Sequence, residues 1–277
     1  MPDPKDLYLD LMKKALSFLL WDESKLFKPA EIDPQPVYKK WVVDAITRHL
    51  AKDGRRIMEP VKNDEELRVA GRVWPHLAHT MIGLKRLNNL DDCVRSVIED
   101  NVPGDLIETG VWRGGACIFM RAVLKAYNVE DRVVWLADSF AGLPEPDITK
   151  YPADAGDKHH TFDELRITQD DVIDAFRRYG LFDDQVKFLV GWFKDTLPTA
   201  PIENLAVIRL DGDMYESTWD ALTNLYPKLS TGGYCIIDDY HLEGCRAAVG
   251  DYRKQHGIIE EIIDIDGFGA FWRRASN

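Results

Sequence analysis

A chain of 277 residues is long enough for one large α/β domain with an elaboration, or for two small domains. Hydrophobic residues at 45% and charged residues at 30% are the mix of a water-soluble globular protein, and a net charge of -12 disfavours nucleic acid or an anionic membrane as the main partner. No run approaches the roughly 18 apolar residues of a membrane span, and the polar start Met1-Pro2-Asp3-Pro4-Lys5-Asp6 is unlike a signal peptide, so a cytoplasmic location is expected.

Residues 7–20 place Leu7, Leu11, Met12, Ala15, Phe18 and Leu19 at helical spacing. Pro29, Pro34 and Pro36 mark a loop, Tyr38 to Leu50 reads as a second helix, and 64–100 is mostly helical with an interruption at Trp74-Pro75. This first third precedes any expected strand, so residues 1–95 read as a helical cap or lid over a catalytic α/β domain, residues 96–277. Helical segments with apolar faces make self-association as a homo-oligomer an expectation.

From residue 103 the period changes. Asp105–Thr109 reads as a strand, followed by a glycine-rich turn and a helix to Tyr127. Further strands are expected at 132–137, 186–190, 205–210 and 233–237, with a helix at 170–179. A closing hairpin would run from Ile258 to Ile265, turn at Asp266–Gly269 and return over 270–273. Strands alternating with helices give a doubly wound, Rossmann-like sheet of seven strands.

The strand at 205–210 ends in Asp211-Gly212-Asp213, and the strand at 233–237 ends in Asp238-Asp239. Ligands of open α/β sheets sit beyond the carboxyl ends of the strands, so two neighbouring strands would bring four carboxylates to one mouth. Each close pair repels by roughly 4 kcal/mol at an effective dielectric near 20, which calls for a cation, and oxygen-only ligands suit magnesium or calcium. An Asp after a buried strand is also an ordinary helix cap or turn residue; both readings stand at this point. Four cysteines without CxxC spacing, Cys93, Cys117, Cys235 and Cys245, read as buried thiols, and the seven scattered histidines offer no zinc pattern.

Glu108-Thr109-Gly110-Val111-Trp112-Arg113-Gly114-Gly115 joins the first expected strand to its helix. The spacing differs from the GxGxxG of dinucleotide sites, and Trp112 fills space that a pyrophosphate would need. An acidic residue before a looser glycine turn suits a cationic or zwitterionic nucleoside. Asp138, 30 residues on, is placed to accept from ribose hydroxyls. A tight strand-to-helix turn without a ligand is the competing account.

Four ordered motifs carry a resemblance: PGDLIETGVWRGGA over 103–116, ADSFAGLP over 137–144, LDGDMYEST over 210–218 and Ile237-Asp238-Asp239-Tyr240, with Trp74-Pro75 and Thr80-Met81-Ile82-Gly83 upstream. Together they resemble the macrocin O-methyltransferase (TylF-type) family over roughly residues 70–275. The resemblance implies an S-adenosyl-L-methionine-dependent, Mg2+-dependent O-methyltransferase acting on a sugar hydroxyl of a glycosylated natural product, as in antibiotic biosynthesis. It places the metal on Asp211, Asp238 and Asp239 and a general base at Asp213. It places the methyl donor on Glu108, Thr109, Gly110, Arg113, Gly114, Gly115, Asp138 and Ser139, with Thr80, Met81, Gly191 and Trp192 nearby.

Methyl transfer from a sulfonium is an in-line displacement whose activation comes from the cofactor. The protein must align the acceptor oxygen and remove its proton. Asp213 is the first candidate for that proton, with a supporting position beside the metal as its other role; His241, with an ordinary pKa near 6.5, is the second candidate, or a plain loop histidine. The loop at 144–161, with Asp154, Asp157, His159 and His160, is expected to border the acceptor. A catechol-type methyltransferase with a phenolic acceptor, and a non-catalytic binder of S-adenosylmethionine or a nucleotide, are the alternatives.

Overall fold

The computed structural model describes residues 3–22, 27–29, 40–60, 65–73 and 75–275. The loop residues Pro34 and Pro36, the start of the second helix at Tyr38, and Trp74 lie outside them.

Asp3 accepts the Lys5 N–H and Pro4 occupies the first turn, so the first helix, α1 (Pro4–Leu16), begins three residues ahead of its expected start. It ends at Ser17, because Phe18 turns to φ +60°. Two short strands, β1 (Phe27–Pro29) and β2 (Met58–Pro60), pair antiparallel around α2 (Lys40–Lys52). This ribbon corrects the expectation that no strand precedes residue 103; three-residue strands carry too little alternation to read. The interrupted helical stretch resolves into α3 (Glu65–Val69) and α4 (Leu84–Glu99).

The remainder alternates as expected: β3 (Asp105–Thr109), α5 (Gly115–Ala126), β4 (Val134–Asp138), α6 (Gln169–Arg178), β5 (Val186–Val190), α7 (Phe193–Thr196), β6 (Leu205–Leu210), α8 (Tyr215–Leu225), β7 (Leu229–Ile237), α9 (Glu243–His256), β8 (Ile263–Asp264) and β9 (Ala270–Arg273). The seven-stranded sheet runs β5-β4-β3-β6-β7-β9-β8, parallel up to β7 and antiparallel at β9 and β8. Every residue of β6 is buried, the pattern of a parallel strand covered on both faces. One core layer joins α1, α4, α5 and α6 through Leu9, Val94, Phe119 and Phe176; Leu222, Val249, Tyr252 and Trp272 fill the other, under α8 and α9. The helices α1 and α4 of the expected cap therefore share the core of the sheet.

The strand expected at 233–237 begins earlier, at Leu229, and two other ends differ from expectation for local reasons. The Val133 N–H is taken by the Asp105 side chain at 2.8 Å, so β4 starts at Val134. Glu260 gives its carbonyl to Arg253 and its carboxylate to the Ala275 N–H, which draws 258–262 out of the ladder and leaves only Ile263–Asp264 as β8.

Strand order reverses between β3 and β6, and a crevice opens beyond their carboxyl ends. The four cysteines are free and buried.

Candidate active site

The acids stand where ladder hydrogen bonds run out. Asp211 N–H donates to the Thr109 carbonyl at 2.9 Å, and Asp238 N–H to the Leu210 carbonyl at 2.8 Å, so each acid caps its strand. At Gly110, with φ +77°, a Cβ would lie 1.6 Å from the Asp211 carbonyl oxygen; glycine alone lets the two loops touch. Three non-glycine residues with positive φ, Trp112 (+45°), Phe140 (+54°) and Asp213 (+58°), sit in the loops after β3, β4 and β6. Such backbone costs about 1–3 kcal/mol each and concentrates at functional sites.

Ligand atoms of Asp211, Asp238 and Asp239 lie within 4.8 Å of one another. Asp213, on the same loop as Asp211, donates its N–H to the Asp239 carboxylate at 3.2 Å. Burial and the neighbouring acids push all of Asp211, Asp213 and Asp239 upward, Asp213 to about 7. Asp239 is raised by its burial and by the neighbouring Asp213, Asp211 and Asp238 carboxyls, the mutual repulsion of clustered acids.

Two buried guanidiniums, which sequence reasoning missed, oppose this charge. Arg209, 2% exposed, contacts Glu108, Asp211 at 2.8 Å and Asp238. Arg86 holds Asp238 at 2.5 Å and Asp266 at 3.1 Å. Arg209 hides inside an apolar strand run, and Arg86 reaches the site from α4; the single charged residue within β6 was the available signal. The five carboxyl groups of Glu108, Asp211, Asp213, Asp238 and Asp239 still outnumber these two cations.

Two cavities meet at this cluster and share Met81, Trp112, Leu165, Asp211 and Asp213 as walls. The first is also lined by Gly110, Asp138, Ser139 and Trp192, and the second by Thr80, Glu108, Asp238, Asp239 and His241. Asp138 accepts the Val111 and Phe140 N–H groups at 2.8 Å each, fixing the loops after β3 and β4, while burial pushes its pKa up. Glu108 is buried between Arg209 and the Cys117 thiol, and burial pushes it up to about 7.

Five of the expected donor-site residues line neither cavity. Thr109 is buried in β3. Arg113 donates to the His76 and Ala78 carbonyls at 2.9 Å and covers the Trp112 ring at 4.2 Å, so it shapes the wall from behind. Gly114 faces Val172, Gly115 faces the His79 carbonyl, and Gly191 faces Thr196, each too closely for a Cβ. His241 lies against Phe268 at 4.4 Å, and burial and Arg86 push its pKa down, which keeps it neutral.

The expected border loop divides. Asp154 turns inward and accepts the Tyr215 and Glu216 N–H groups, capping α8. Pro144, Glu145 and Asp147 line the first cavity, and His159 lines the second.

A seven-stranded sheet of this order, with a crevice at its switch point and a glycine-rich loop after the central strand, defines a Rossmann-like α/β fold with its ligand site beyond the central strands. Among solved structures, the chain superposes on the O-methyltransferase NovP with TM-score 0.83 at 47% identity, over 98% of this chain and 100% of that one. A calicheamicin methyltransferase, at 18% identity and TM-score 0.56 over 87% and 94% of the two chains, shares the fold.

The profile of the macrocin O-methyltransferase (TylF) family matches residues 5–274, and the chain belongs to that family. Curated relatives include the mycinamicin III 3''-O-methyltransferase of Micromonospora griseorubida, 57% identical over 98% of this chain and 97% of that protein. The 8-demethyl-8-(2,3-dimethoxy-alpha-L-rhamnosyl)-tetracenomycin-C 4'-O-methyltransferase of Streptomyces olivaceus is 51% identical over 99% and 95%. The demethyldecarbamoylnovobiocin O-methyltransferase of Streptomyces niveus is 57% identical over 76% and 81%.

Proposed function

We propose that this enzyme methylates a sugar hydroxyl of a glycosylated natural product, with a divalent cation, Mg2+ by preference, held by Asp211, Asp238 and Asp239. One observation carries the metal reading: three carboxylates with ligand atoms within 4.8 Å of one another, in a cluster whose negative charge two guanidiniums do not balance. The donor set is all oxygen, which suits a hard cation. The sugar acceptor is supported by the named substrates of the 51–57% identical relatives.

A bound divalent ion supplies Lewis acidity that makes an alcohol proton easier to remove. Asp213 takes that proton: its loop backbone is fixed to Asp239, which keeps its carboxylate beside the cluster. Arg209 and Arg86 hold Asp238 from both oxygens, so this carboxylate cannot rotate away. The methyl donor contributes an electrophilic carbon on a sulfonium; Met81, Gly110, Asp138, Ser139 and Trp192 form its binding wall, with Thr80 and Glu108 in the adjoining cavity. His241 is neutral and packed on Phe268, so it shapes the acceptor side. Residues 40–60, with Trp41, Val42 and Ile46 exposed on α2, form a covering or self-association segment; light scattering that gives only the monomer mass would remove the second role. No helix of the described residues is long and apolar enough to cross a membrane.

The test is methyl transfer to the substrates that name the three relatives, before and after chelation. Turnover of at least one, lost with chelator and restored by Mg2+, supports the proposal. Transfer to a catechol alone would favour the phenolic reading, and donor binding without transfer to any acceptor would favour a binding protein.

A further inference from the structure

His159 lines the second cavity together with Asp211, Asp213 and Asp239, on the loop between β4 and α6. An exposed loop histidine ordinarily samples several rotamers, but this one is held twice by a single carboxylate. Asp157 Oδ1 accepts the His159 backbone N–H at 2.9 Å, and Asp157 Oδ2 lies 2.7 Å from the ring Nδ1. The Phe162 ring meets the imidazole edge-on at 5.7 Å, closing off a further direction. The Asp157 and His159 side chains are 14% and 28% exposed, so the pair is mostly shielded but remains open to the cavity.

A carboxylate on Nδ1 fixes the ring: the Nδ1 proton points to Asp157, and Nε2 lies on the opposite ring edge. Around it the acids of the cluster repel one another and serve the cation and the proton. The guanidiniums of Arg209 and Arg86 are already engaged with Glu108, Asp211, Asp238 and Asp266. His159 is thus an oriented imidazole whose Nε2 edge can take part in a hydrogen bond beside the acid cluster.

We propose that His159, oriented by Asp157, makes a hydrogen bond through Nε2 with a second hydroxyl of the acceptor sugar, adjacent to the one methylated, and so fixes which oxygen is presented. This rests on the reading that the cavity beside the acid cluster holds the sugar. Asp157 is a positioning residue that acts through His159. The pair selects for sugars with a neighbouring hydroxyl and against those in which it is absent.

The test uses whichever of the three relatives' named substrates the full-length enzyme methylates. His159→Ala should lower kcat/KM for the acceptor about tenfold or more, the loss of roughly one hydrogen bond, mainly through acceptor KM. Affinities for S-adenosylhomocysteine and Mn2+, and the melting temperature, should stay unchanged. His159→Gln, whose side-chain amide reaches the Nε2 position, should recover most of the loss, and Asp157→Ala should fall between. An acceptor kcat/KM unchanged in His159→Ala overturns the proposal. So does a parallel fall in melting temperature and donor-product affinity in the Ala and Gln variants alike, which marks a structural role. If the wild-type enzyme methylates none of the three, the sugar reading falls and this proposal with it; if it turns over and His159→Ala is silent, only this proposal falls.

Discussion

Replacing Arg209 by methionine removes the guanidinium that touches Glu108, Asp211 and Asp238 at once. Glu108 is 2% and Asp238 5% exposed, so water cannot take the place of the lost cation. Removing one partner of a buried ion pair costs about 3–5 kcal/mol. The three contacts share one cation and do not add, so the expected loss is the upper part of that range, about 4–5 kcal/mol. At roughly 2–4 °C per kcal/mol for a chain near this size, the melting temperature should fall by about 8–20 °C. The deficit should also depend on pH. Burial already holds Glu108 at about 7, and loss of Arg209 raises it further. A carboxyl whose folded pKa lies above its unfolded value weakens the fold increasingly as pH rises from the unfolded pKa through the folded one, so the variant should be closer to wild type at pH 5 than at pH 8. Adding Glu108→Gln should return part of the loss. Urea unfolding of the metal-free proteins at both pH values measures this directly. A deficit below about 1 kcal/mol, or one equal at pH 5 and pH 8, would refute the view of Arg209 as the electrostatic keystone of the cluster.

Asp213→Asn should lower kcat by about 10²–10⁴-fold, the usual contribution of a general base, while Mn2+ affinity measured by electron paramagnetic resonance changes little; equal loss of both would move Asp213 into the metal shell. Because Asp211, Asp213 and Asp239 are all pushed upward, a divalent ion competes there with protons. Mn2+ binding should therefore tighten from pH 6 to pH 8, and a flat profile would argue against Asp211 and Asp239 as ligands. Asp154→Ala removes the side chain that caps α8 and should cost about 1–2 kcal/mol in urea unfolding; its specific activity per folded enzyme should be kept, and a selective loss of turnover would make Asp154 part of the site.

The parallel core of the sheet was legible because buried strands leave uninterrupted apolar runs: 105–109, 186–190 and 205–210 appear in the structure as read. Their acidic ends were legible for the same reason, since polarity changes abruptly where a strand leaves the sheet. What stayed hidden depends on distance in sequence. The Arg86–Asp238 contact spans 152 positions and the Arg209–Glu108 contact 101, and no local pattern announces either. The glycine-rich loop was recognised, but the direction of each residue was not: Gly110 opens the cleft, whereas Gly114 and Gly115 serve packing against Val172 and His79. Arg113 looked like a ligand contact because it sits in the loop, and the structure spends it on two carbonyls of the preceding segment.

The most direct test of the central claim is anomalous diffraction from crystals of the full-length enzyme soaked in Mn2+ with S-adenosylhomocysteine. The account predicts a single strong peak bounded by the carboxylates of Asp211, Asp238 and Asp239 and beside Asp213. A structure with ordered donor product, saturating Mn2+ and no anomalous density among those carboxylates would contradict it.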